Sequence, residues 1–152
     1  MRDYKFRGKR SDNGEWVVGC YAEFINYLDG NSKPGIQVTK QVPSEFDRMV
    51  PAWETELVEV IPETVGQFTG LPDKNGVEIY EGDIINGFSM EMTAYEIKYG
   101  SDASFYGESA PYFGIPGAGT QTAGLNNISD WANVIGNIHD NPELLGGKRM
   151  EG

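Results

Sequence analysis

The sequence predicts a mostly β protein of short strands joined by tight turns, and three observations predict it. Twenty glycines and eight prolines in 152 residues punctuate the chain too often for long helices. The runs between them are short, rich in Val, Ile, Tyr and Phe, and often alternate apolar with polar residues, the two-residue period of a half-buried strand. Turn signals at Asp12-Asn13-Gly14, Asn75-Gly76 and Gly82-Asp83 fall between such runs. These spacings favour a small β-barrel, SH3-like, or a sandwich-like domain, with short helical turns. The chain reads as one domain over residues 1–152. An internal division into a smaller N-terminal β part, 1–61, and a second β part, 62–145, is the alternative.

The elements follow in order. Tyr4 to Arg7 alternates, and Glu15 to Ile25 reads as its return strand across the Asp12–Gly14 turn. Gly30 to Gly35 is a loop, and Ile36 to Val42 a half-buried strand with Ile36, Val38, Lys40 and Val42 on one side. Pro43 to Val50 is the first helical turn, with Ser44 as its cap and Pro51 as its stop. Leu57 to Ile61 is a strand. Val65 to Leu71 and Val77 to Tyr80 flank Asn75-Gly76, which predicts a two-residue type I′ hairpin because both residues tolerate positive φ. After the Gly82-Asp83 corner, Ile84-Ile85 starts a buried strand. Tyr95 to Tyr99 is a strand whose partner, Ser104 to Tyr106, lies across Gly100–Asp102. Residues 109–127 carry no charge and read as a loop. Ser129 to Ala132 forms a turn and Val134 to Ile138 closes the sheet. Asn141 and Pro142 then cap and open a short helical turn.

Charge is unevenly placed within a net −11. Residues 1–50 hold eight Lys/Arg against seven Asp/Glu, whereas residues 51–152 hold four against sixteen. The acidic second half repels nucleic acid and offers a surface to a basic protein partner; in the competing reading its excess carboxylates only keep a small protein soluble. Cys20 is the only cysteine, so no disulfide framework exists, and in WVVGCYA it reads as a small packing residue. Met1 to Arg10 lacks the apolar stretch of a secretory signal, and no run is long enough to cross a bilayer as a helix. The expectation is a cytoplasmic protein, not bound to a membrane.

Candidate chemistry is sparse. Counting an EF-hand from Asp73 puts Val77 at position 5, Glu78 at 6 and Ile84 at 12, so the calcium pattern fails and no metal is expected. Glu81 and Asp83 form a candidate acid–base pair. The competing reading has Asp83 bonding backbone amides at the corner. His139, the only histidine, cannot build a His-rich zinc site. Gly114 to Gly119 lacks the Lys-Ser/Thr of a phosphate loop. No cofactor is expected, and no catalytic residue is assigned. Lys5 and Arg7, interleaved with Tyr4 and Phe6, are the one candidate nucleic-acid contact. In the competing reading the aromatics face the core and the cations face solvent. Trp16, Trp53 and Trp131 belong to cores or interfaces by default.

Three blocks carry a resemblance. Lys5-Phe6-Arg7 opens the chain. Glu63 to Leu71, Asp73 to Gly76 and Ile79 to Ile84 form the central block, and Ile135 to Ile138 with Asp140 to Leu145 the last. Together they resemble the YopX family of phage- and prophage-encoded proteins. Pro72 departs from the Lys-like residue expected there, and 107–127 is longer and richer in glycine. The resemblance implies a β-rich, phage-derived protein inside the bacterial host, with no catalytic residues to carry over. Asn75, Gly76, Gly82, Asp83, Gly136 and Asn137 are its structural positions. The expected function is non-enzymatic, by protein binding or self-assembly. The acidic half or Tyr112, Phe113, Ile115 and Leu125 of the uncharged loop would serve as the contact, since such side chains are costly to expose. The alternative is a nucleic-acid-binding barrel that uses Lys5 and Arg7.

Overall fold

The computed structural model describes residues 4–44, 50–86, 94–109 and 122–145. These form two antiparallel sheets, and the mostly β expectation holds. The strands are β1 (Phe6–Lys9), β2 (Trp16–Ile25), β3 (Ser32–Val42), β4 (Ala52–Glu59), β5 (Gly66–Pro72) and β6 (Glu78–Tyr80). They continue as β7 (Asp83–Asn86), β8 (Tyr95–Tyr99), β9 (Phe105–Ser109), β10 (Thr122–Gly124) and β11 (Asn133–Asn137). One short helix, α1 (Ile128–Trp131), and two 3₁₀ turns, Pro62–Thr64 and Pro142–Leu144, complete the described residues. The sheet orders are β4-β3-β2-β1-β5-β6 and β10-β9-β8-β7-β11. Each keeps two edge strands, so the barrel alternative is corrected: neither sheet closes.

The chain divides into two compact units, Met1–Gln67 and Phe68–Gly152, with the boundary inside β5. In the first unit, β2, β3 and β4 form a long meander. Its register pairs Cys20 with Gln37 through Ile25 with Ser32, and Gly35 with Glu59 through Val42 with Ala52. Ile36, Val58 and Val60 are buried here, matching the alternation read from Ile36 to Val42. At the seam where β4 would have to rejoin β1, the ladder is a single isolated bridge between Arg10 and Val60. A closed barrel needs continuous pairing across that seam. The β3 strand starts at Ser32, four residues before the expected Ile36, because the turn at its head is tighter than the Gly30–Gly35 loop predicted. The helical turn expected after Pro43 falls mainly on residues outside the described set.

The second unit has a core of Ile79, Ile85, Tyr95, Ile97, Ile128 and Ala132, with Phe105, Leu125, Trp131 and Val134 packed against it. Tyr95 and Ile97 of β8 are buried while Glu96 and Lys98 alternate outward, the predicted period. The β8–β9 hairpin pairs Tyr99 with Phe105, across the expected turn. Glu96 faces Glu108 directly across that ladder, and Lys98 reaches both, at 3.8 Å and 2.9 Å. β11 is an edge strand beside β7 and not a closing one.

Four local expectations are corrected. Gly76 has φ +82°, but Asn75 does not share a positive φ, so the turn is not type I′. The amide of Gly76 instead donates to the Asp73 carbonyl at 3.0 Å, and the Asp73 carboxylate holds Asn75 N at 2.8 Å. This is a longer turn closed by a left-handed glycine. Asn141 makes no side-chain cap to the Pro142 turn. Cys20 is exposed, because it lies on the open side of β2. Trp53 is 65% exposed on edge strand β4.

Candidate functional site

Of the two carboxylates that the sequence offers for chemistry, Asp83 is held by backbone. Asp83 is buried, and its Oδ2 accepts from Tyr80 N at 2.8 Å, the corner bond of the structural reading. Gly82 stands at φ +88°, a left-handed conformation that glycine, having no Cβ, adopts at little cost. Its N–H donates to the Ile97 carbonyl at 2.8 Å, and its carbonyl accepts from Ile138 N at 2.9 Å. Glu81 lies half-buried in the turn before β7, so it does not share the environment of Asp83. Burial and then the charge of Glu96 push the Glu81 carboxyl above its ordinary value. Asn137 Oδ1 accepts from His139 N and Asp140 N at 3.0 Å and 2.9 Å, which folds the chain after β11. A methyl at Gly136 would sit 2.6 Å from Asn141 Oδ1, so the chain there tolerates only glycine without shifting. Among the described residues no three His, Cys, Asp or Glu stand together as a metal site. No described helix is long and apolar enough to cross a membrane.

Of the predicted contact residues, Tyr112, Phe113 and Ile115 lie outside the described set. Leu125 is half-buried against the second unit's core. Arg7 lies with its guanidinium 4.7 Å from the centroid of the Trp16 ring, and Lys9 approaches the same ring at 5.4 Å. Lys5, Phe6 and Arg7 are all half-buried and Tyr4 is exposed, so the expected alternation of buried aromatics with exposed cations is corrected: burial does not divide these residues into two faces.

The first unit contains a feature that sequence reasoning did not single out: the head of the β2–β3 hairpin. Asn26 N donates to Asn31 O at 2.9 Å, and Gly30 N to Asn26 O at 2.8 Å. The side chains reinforce the turn. Asn26 Oδ1 accepts from Leu28 N, and Asp29 Oδ1 from Asn31 N, both at 2.9 Å. Gly30 supplies φ +70°. This turn, closed by four hydrogen bonds, presents Tyr27 at 93% and Leu28 at 97% exposure, with Ile25 at 61% just below. The clue was in the sequence, where two large apolar residues sit inside Asn26-Tyr27-Leu28-Asp29-Gly30, a frame of turn formers.

Below the head, the period of two puts Tyr21, Glu23 and Ile25 on one face of β2, opposite Ile36, Pro34 and Ser32. There an open cavity of about 320 Å³ is lined by Phe6, Tyr21, Glu23, Ser32, Pro34, Pro62 and Val65. The Phe6 and Tyr21 rings lie 5.6 Å apart and tilted by 48°. Tyr21 Oη donates to Glu23 Oε1 at 3.2 Å. Burial, and next the adjacent Glu23 charge, raise the Tyr21 hydroxyl above its ordinary value.

A family model described as YopX protein matches residues 5–146. Among solved structures the chain is similar to protein EF1440 from Enterococcus faecalis. The identity is 26%, the TM-score 0.55, and the match covers 95% of this chain and 99% of that one. No curated protein matches it.

Proposed function

The chain belongs to the YopX family, and on that premise we propose that it is a phage- or prophage-encoded accessory protein of the bacterial cytoplasm. In this reading it is not an enzyme and works by binding another protein or by self-assembly. The observation that carries the reading is the hairpin head. A turn closed by four hydrogen bonds has little conformational freedom left to lose, and it presents Tyr27 and Leu28 almost wholly to water. Tyrosine is among the side chains that carry most of the affinity at protein interfaces, and a turn that is already ordered lowers the cost of binding.

The test is the double variant Tyr27→Ser, Leu28→Ser, examined by light scattering and by capture from host lysate. Because the two side chains are exposed, its melting temperature should equal that of the parent chain. The expected result is loss of self-association or of the captured partner. A variant that behaves like the parent in both assays would remove the proposal.

A second reading has one observation behind it. The Arg7 and Lys9 cations over Trp16 make a basic, aromatic surface of the kind that meets single-stranded nucleic acid. Salt-dependent retention on heparin or DNA, lost in Lys5→Ala, Arg7→Ala, is its signature.

A further inference from the structure

We propose that the cavity on the β2–β3 face is a receptor for one basic side chain, a lysine or arginine in an extended segment of the protein partner. The proposal rests on the protein-binding reading and names the chemistry of what is bound. Among the described residues, Glu23 is the only charged one lining the cavity. Elsewhere on the same sheet Glu59 meets Lys33 at 3.3 Å and Glu54 meets Lys40 at 3.2 Å. Glu23 instead accepts the neutral hydroxyl of Tyr21 through Oε1. That bond orients the carboxylate and leaves Oε2 for a donor arriving from outside.

The walls favour a cation over a neutral donor. Phe6 and Tyr21 offer π surface within reach of the carboxylate, and a cation gains from both at once. Pro34, Pro62 and Val65 supply apolar surface suited to the methylene stem of Lys or Arg. An anion would meet Glu23 with no compensating positive charge in the lining. The volume, about 320 Å³, is at the small end of ligand sites, the size for one side chain and not for a folded element. The segment must be extended, because the cavity is shallow and open beside a strand face.

The experiment titrates the ¹⁵N-labelled full chain with blocked tripeptides, Gly-Lys-Gly and Gly-Arg-Gly, against the uncharged Gly-norleucine-Gly. The basic peptides should move the amides of Tyr21, Glu23 and Ser32 saturably, and norleucine should not. Glu23→Gln should weaken the basic peptides about threefold to tenfold while the rest of the spectrum stays in place. Tyr21→Phe keeps the ring and should retain most of the binding. Equal shifts with norleucine, unchanged binding by Glu23→Gln, or shifts confined to other residues would overturn the proposal. Spermidine binding as tightly as the peptides would overturn a protein source. The two readings fail separately. Partner capture that depends on Tyr27 and Leu28, with no peptide shifts at the cavity, rejects the cation site and leaves the protein-binding function standing.

Discussion

Replacing Asp73 tests how the second unit is held together. Asp73 is buried, and its carboxylate accepts three backbone N–H groups: Asn75 at 2.8 Å and Val77 at 2.9 Å through Oδ1, and Val134 at 3.0 Å through Oδ2. Two of these bonds shape the β5–β6 turn, and the third ties it to β11, 61 residues away. Asp73→Asn is close to isosteric. Its amide oxygen can keep Asn75 and Val77, but its NH₂ then faces the Val134 N–H, donor against donor. One buried amide is left unsatisfied, which costs about 2 kcal/mol. Asp73→Ala strands all three, and since such losses are not fully additive the cost is about 3–5 kcal/mol.

The pH dependence supplies an independent readout. Burial alone would raise the Asp73 carboxyl, and the amides of Val134, Val77 and Asn75 outweigh it, so its pKa lies below the ordinary value. A depressed folded-state pKa adds stability above the unfolded pKa of about 3.9, and that stability is lost as pH falls toward the folded value. Urea denaturation of the parent should therefore show a falling midpoint below about pH 4, with part of that slope missing in Asp73→Asn. An Asn variant with the parent's midpoint at pH 7 and the parent's acid slope would refute the three-amide account.

Two further changes follow from the same reasoning. Glu81→Gln should raise stability at pH 7 by less than about 1 kcal/mol, because the parent must hold a charge that burial and Glu96 disfavour in a half-exposed site. The raised folded pKa means the penalty grows as pH rises above the unfolded value, so the gain should vanish in urea melts near pH 4. Gly19→Ala should cost about 3 kcal/mol or more, since its methyl would land on the Gln37 carbonyl of the facing strand. Amide exchange across β2 and β3 should rise with it.

Much of the fold was legible because its determinants are local. The alternation of Tyr95 to Tyr99 needs only a period of two, and β8 occupies that stretch. The Asp12–Gly14 signal sits between strands, with Gly14 at φ +73°. What was not legible depends on distant partners. Asn75-Gly76 reads as a type I′ turn on its own, and the Asp73 carboxylate, shared with Val134, selects another. Cys20 and Trp53 look like core residues by type, yet their exposure is set by which side of the β2–β4 meander lies open. Closure of a barrel likewise depends on the seam between Arg10 and Val60, which no strand pattern encodes.

The same distinction separates the conspicuous polar residues from the candidate site. Asp73, Asp83 and Asn137 caught attention as chemistry or signature, and each is occupied in holding backbone amides. A carboxylate that accepts buried N–H groups is fixed by the fold and has little freedom to exchange partners with a ligand. The residues left without such a task are Tyr27 and Leu28 on a turn already closed by others, and Glu23, whose bond is to a tyrosine hydroxyl and not to a cation. Replacing the first group should therefore move melting and acid slopes, whereas replacing the second should move binding at constant stability. A Glu23 variant that melted lower by as much as Asp73→Asn would mean that the cavity carboxylate supports the fold and is not reserved for a partner.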